Sequence, residues 1–168
     1  MTAQESPLGR YAGEAGGQAY AVRLLNLPVR LVASSRERHD ELLREFSLLA
    51  LSDDPRRGDL PARLLELIEV LGVQYATAKA RPDTIVDEAI AAGLHAVDVT
   101  YVVPASVVEA ADRLEHLMAQ SDEFCASERL LTLPRTQTQR DLANWYFGEF
   151  RRQVAGEDPQ PWDGPSEI

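Results

Sequence analysis

Apolar residues along this chain recur in two rhythms, one of two residues and one of three to four. The switches between them predict the elements. Tyr20 to Leu27 (YAVRLLNL) is a short apolar run that ends at Pro28, which reads as a strand. Leu94 to Val103 (LHAVDVTYVV) is the clearer strand. There Val97, Val99, Tyr101 and Val103 alternate with Ala96, Asp98, Thr100 and Val102, and Pro104 ends the run. On that alternation Asp98 faces solvent.

The longer rhythm predicts helices. Ser34 and Glu37 have capping-box spacing and open a helix to about Leu51, with Leu42, Leu43, Phe46 and Leu49 as its stripe. The segment SDDPRRGD (Ser52 to Asp59) breaks the pattern. Asp59 caps a second helix, with Pro61 in its first turn and Leu64, Leu65, Ile68, Leu71 and Tyr75 along one face. Leu67 and Val70 widen that face, which marks this as the central helix. Arg81-Pro82 stops it, and a short helix from Asp83 to Ala92 follows, closed by Gly93. Ser106 and Glu109 make a second box, ahead of Val107, Val108, Ala111, Leu114 and Met118. Ser121 starts a further stretch with Phe124, Leu130 and Leu131. Thr136 or Thr138 opens the last helix, which buries Leu142, Trp145, Tyr146 and Phe150 and ends in Arg151 and Arg152, favourable to its dipole. The fold expected is helix-dominated α+β: about five or six amphipathic helices around a small two- or three-stranded sheet.

Outside this pattern lie two segments without periodicity. Residues 1–19 are Gly- and Ala-rich and read as a flexible arm; 20–155 form a single globular domain; 156–168, mixing Pro, Gly and acids, read as a flexible tail. Trp162 stands apart in that tail, because folding an indole back onto the body is worth a few kcal/mol. There is also an internal echo at an offset of 76 residues. Pro28 meets Pro104, Leu31 meets Val107, Val32 meets Val108 and Leu42 meets Met118. A repeated strand-helix unit would set the two strands side by side with helices on one face.

Composition narrows the function classes. At 168 residues and 45% apolar content, one domain with a real core is expected. A net charge of -10 argues against nucleic acid and anionic membrane as partners. No stretch approaches the roughly 18 apolar residues of a membrane span. The polar N-terminal residues lack a secretory pattern, and Cys125 is the sole cysteine; both suit the cytoplasm. Lys79 is the sole lysine.

Candidate chemistry is sparse. Among His39, His95 and His116, only His116 has a helix neighbour at ligand spacing, Asp112, and no third ligand is evident, so neither metal nor cofactor is expected. His39 lies in RERHDELLRE, where Arg36 with Asp40 and Asp40 with Arg44 read as pairs on a solvated face. Cys125, between Phe124 and Ala126, reads as a core filler. The serines form no nucleophile elbow, and the glycines of GEAGG follow no strand. The pairs Asp53-Asp54 and Asp122-Glu123 sit where turns and helix starts favour acids anyway. In the last helix, Trp145 and Phe147 diverge by about 200°. Either that helix is sandwiched or one aromatic is exposed as a binding hot spot.

Three phrases carry a resemblance: VRLLNLPVRLVASSRERHDELLREFSLLAL, LPARLLELIEVLGVQY and ANWYFGEFRRQVAGEDPQPW. With them, most of residues 21–162 resembles a family of small acidic actinobacterial proteins encoded beside anti-sigma-factor kinases, STAS-domain antagonists and serine phosphatases. The chain lacks the kinase's asparagine box and glycine-rich lid, and also the antagonist's DSSG-like phosphoacceptor turn. The resemblance therefore implies an accessory regulator and carries over no site residue.

Two functions are expected from this. The first is a non-enzymatic cytoplasmic regulatory or adaptor protein that binds another protein, in sigma-factor partner switching, and that could form a homo-oligomer. Its candidate anchors are Trp145, Phe147, Phe150 and Trp162, and it requires an exposed apolar patch. The alternative is a small-molecule sensor or an enzyme with a pocket between strands and helices, lined from Tyr75, His95, Asp98, Tyr101 and His116.

Overall fold

The computed structural model describes residues 18–51, 59–127 and 130–166. Residues 52–58 of the SDDPRRGD break and nearly all of the N-terminal arm lie outside the described residues. Two strands, β1 (Ala19–Pro28) and β2 (Ala96–Pro104), pair antiparallel. Five helices complete the described chain: α1 (Val29–Leu51), α2 (Asp59–Gln74), α3 (Ala76–Ala91), α4 (Val107–Ala126) and α5 (Gln137–Val154). The fold is helix-dominated α+β, as the periodicities predict.

The strands meet as their alternation requires. Val22, Leu24, Val99, Tyr101 and Val103 are buried on one face, while Arg23, Asp98, Thr100 and Val102 are exposed on the other. Between Leu24 and Leu27 the register slips: Leu25 and Asn26 oppose Asp98 alone. Asn26 sits at φ 56, a region asparagine tolerates, and its N–H donates to Asp98 Oδ1 at 2.8 Å. The two strands of the 76-residue echo do pair with each other, but the helices packed most closely on them are α3 on β2 and α5 on β1, not α1 and α4, the helices that follow the two prolines.

The described residues form two apolar clusters. One lies under the sheet and takes Leu31, Tyr75, Val86, Val107, Leu142 and Phe150 from the helices. The other lies between α1, α2 and α4, around Phe46, Leu42, Leu49, Leu64 and Cys125. Helix α1, 23 residues and about 34 Å long, reaches from the first to the second.

Several helix boundaries correct the sequence reading. Helix α1 starts at Val29, not at Ser34: Val29 N–H donates to His95 O at 3.0 Å, so strand passes into helix with no side-chain cap. Ser34 is then interior, and its hydroxyl accepts from Gln139 Nε2 at 3.1 Å. Pro82 does not stop a helix; it lies buried inside α3, while the break falls at Tyr75, whose backbone leaves helical values (φ -111, ψ 12) as its ring enters the core. Ser121 starts nothing: α4 runs through it, with its hydroxyl donating to Leu117 O at 2.8 Å. Ser106 heads α4 but forms no cap bond. The capping box that does form is Thr136 with Gln139, at the start of α5. Helix α2 is not central, since Val70 and Val73 are 51% and 78% exposed.

The last described residues are held against β1. Trp162 is buried, its N–H donates to Leu25 O at 2.9 Å, and Asn26 Nδ2 donates to Trp162 O at 2.6 Å. Any side chain at Gly164 would strike the indole. Fully buried Glu149 pairs with Arg152 and accepts from Gln153 Nε2 and Gln160 N–H. The Gln153 amide also bonds Arg23 N–H and O, at 2.8 and 2.7 Å, so a side chain satisfies the strand edge as a third strand would.

Candidate functional site

Beneath the sheet, where α3, α4 and α5 converge, lies a cavity of about 240 Å³. The alternation of β2 sends Tyr101 and Val103 into it, and the first turns of α4 add Val107, Ala110 and Ala111. The broad aromatic arc of α5 supplies Tyr146, Phe147 and Phe150. The break between α2 and α3 places Tyr75, and one helical turn later Ala78 and Lys79, along the same wall. His39 reaches it from α1.

The walls are apolar, and the polar groups are few and distinct. Tyr101 and Tyr146 stand together, with their rings edge to face at a centroid distance of 6.2 Å. Burial pushes both phenols above their ordinary value, Tyr146 well above it, so these hydroxyls stay protonated as hydrogen-bonding groups. Tyr75 Oη lies 3.4 Å from Ser106 Oγ, a long contact that leaves both hydroxyls capacity for a further partner. Burial also lowers the pKa of His39; Asp40 opposes this, while Lys79 and Arg38 add to it. Lys79 stays exposed while lining the cavity, which puts it at the opening.

The predicted site residues divide. Tyr75 and Tyr101 line the cavity together; His95, Asp98 and His116 are exposed and do not. Asp98 faces solvent and holds the β1 irregularity through Asn26. His39 is not on a solvated face: it is half-buried against the cavity. Its neighbour Arg36 crosses to Asp83 and Asp87 of α3, at 3.0 and 2.8 Å. Of the four candidate anchors, Phe147, Phe150 and Trp162 are buried, and Trp145 is half-buried, edge to face with Trp162 at 5.6 Å. Helix α5 is thus sandwiched, with Phe147 and Phe150 forming cavity wall. Sequence reasoning missed His39, Lys79 and Tyr146 as lining residues. The four-residue spacing of Tyr75 and Lys79 was the available signal.

A second polar cluster lies on the far side of α1. Asp122 receives Arg38 Nη2 at 3.0 Å, Arg135 Nε at 2.8 Å and Arg135 N–H at 2.9 Å. Glu45 accepts from Leu131 N–H, Thr132 N–H and Thr132 Oγ1, at 2.6 to 2.9 Å. These bonds clamp the 130–136 segment along α1. Leu131 and Leu133 are left outward, 90% and 78% exposed. Cys125 is buried beside Arg38, and burial pushes its thiol up, which suits the core filler and not a nucleophile.

Among the described residues, no group of three or more His, Cys, Asp or Glu side chains could hold a metal ion, and no helix is long and apolar enough to cross a membrane. Comparison with protein-family models, with curated proteins and with solved structures returns no match.

Proposed function

We propose that this protein is a small-molecule-binding regulator that takes one ligand into the cavity beneath the sheet. The observation that carries this reading is an apolar void with hydroxyls, His39 and the chain's one lysine at its margin. Concave, mainly apolar sites with a few convergent polar groups are the usual form of ligand pockets. Three alanines, Ala78, Ala110 and Ala111, stand on its walls, where larger residues would close it. At about 240 Å³ it suits a small metabolite. The role is binding without chemistry: the described lining holds no carboxylate or thiol, and desolvation holds the phenols of Tyr101 and Tyr146 protonated. The resemblance to proteins encoded beside sigma-factor partner-switching components supplies a cytoplasmic setting for such a regulator.

Binding another protein, the adaptor reading, rests on a different observation. Leu131 and Leu133 project from a segment whose backbone is already fixed by Glu45 and Arg38. Preordered exposed leucines bind at low entropic cost.

Titration of 15N-labelled protein with 1-octanol, a neutral probe of matching size, tests the cavity. Saturable shift changes are expected at Val103, Ala110, Ala111 and Leu114, and their loss is expected in Ala111→Leu. Changes scattered over the surface, or unaltered by Ala111→Leu, refute the reading.

A further inference from the structure

We infer that the cavity is built for a small amphipathic monocarboxylate, with its head at Lys79 and an apolar tail of about seven carbons against Phe147, Phe150 and Val107. This rests on the cavity being a ligand site. It adds the chemical class.

Charge around the opening carries the inference. The chain has 27 acidic residues and a net charge of -10, yet none of the fourteen described lining residues is acidic, while two are basic. An anion would be repelled by the molecule at large and accepted here. Of the cations near this end of the fold, Arg36 is committed to Asp83 and Asp87, and Arg38 to Asp122. Lys79 forms no ion pair with any described residue. Among the described residues its ammonium is therefore the one lining charge open to a ligand. His39, kept neutral by burial, offers a hydrogen bond without a second charge, so a dianion would leave one of its charges uncompensated.

Size and shape set the remainder of the ligand. About 240 Å³ is roughly the volume of eight liquid water molecules, and because covalently bonded atoms lie closer together than separate waters it takes about nine or ten non-hydrogen atoms. A carboxylate at Lys79 uses three of these, and the rest meet an apolar wall. Octanoate matches the count, and 1-octanol is its neutral counterpart.

Calorimetric titration of the full chain with octanoate, 1-octanol and octylamine, repeated on Lys79→Met, decides the matter. Lys79 is exposed, so this variant keeps its fold. Octanoate is expected to bind once per chain, at least tenfold tighter than 1-octanol. Lys79→Met should remove that advantage and leave 1-octanol unchanged, and Lys79→Arg should restore most of it. Equal binding of octanoate and 1-octanol, or octanoate binding untouched by Lys79→Met, overturns the carboxylate class while the cavity reading stands. So does tighter binding of octylamine. Failure of all three probes takes both down.

Discussion

Arg38 and His39 are consecutive in α1, yet they enter two opposite kinds of polar interior. Arg38 joins a closed cluster in which Asp122 accepts from both Arg38 and Arg135, and in which the side chains of Arg38, Asp122 and Arg135 are only 13%, 12% and 9% exposed. Every charge there has a partner, and the bonds tie α1, α4 and the 130–136 segment together. His39 joins the margin of a void, where Lys79 has no ion-pair partner among the described residues and Tyr75 reaches Ser106 only at 3.4 Å. Both environments remove polar groups from water, which is costly unless the groups are satisfied. The first meets that cost internally and fixes the chain. The second leaves capacity open, which is the condition for recognising something else.

The largest test of this contrast is Asp122→Ala. It strands two buried guanidiniums, a loss of about 3–5 kcal/mol. Thermal unfolding followed by circular dichroism should fall by about 10 °C for a chain of this size. A drop of only 1 or 2 °C would mean that water replaces the carboxylate, and that the cluster is no more closed than the cavity. On the other side of α1, Ala111→Leu should cost no more than about 1 kcal/mol, because the added carbons enter empty space. A loss of 3 kcal/mol would show a packed wall and no usable void. Between these in location, and comparable to the second in effect, Thr136→Ala removes the cap that starts α5 beside the cluster. About 1 kcal/mol is expected, seen as a shift of about 3 °C.

How much of this was legible depends on the range of the interaction concerned. The strands and the start of α5 follow from local rules: alternation in Val97 to Val103, and the Thr136–Gln139 box, whose partners are three residues apart. Ser34–Glu37 and Ser106–Glu109 have the same spacing but do not cap. Ser34 is occupied by Gln139, 105 residues away, and Ser106 lies beside Tyr75, 31 residues away. Pro82 breaks the helix rule because tertiary burial of its ring offsets the missing hydrogen bond. Tyr75 and Tyr101 were found for the site because both stand on apolar faces. His39 was not, because RERHDELLRE looks solvated until Arg36 and Arg38 are seen to leave α1 for partners on α3 and α4.

The smallest effect concerns that histidine and asks whether the cavity margin is desolvated at all. Burial lowers the His39 pKa below its ordinary value near 6.5, with Lys79 and Arg38 acting in the same direction and Asp40 against it. The unfolded chain therefore takes up this proton at a higher pH than the folded one. As pH falls from 6.5 towards the lowered native value, the unfolded state gains protons first and stability declines; below the native value the decline from this group stops. Stability should thus rise with pH across that window and level above it. His39→Gln cannot titrate, so the difference in urea midpoint between it and the native chain should change between pH 5 and pH 7 and stay constant from pH 7 to pH 8. A difference that is flat throughout would place His39 in water, and the open side of the comparison would lose its neutral hydrogen-bonding group while keeping Lys79.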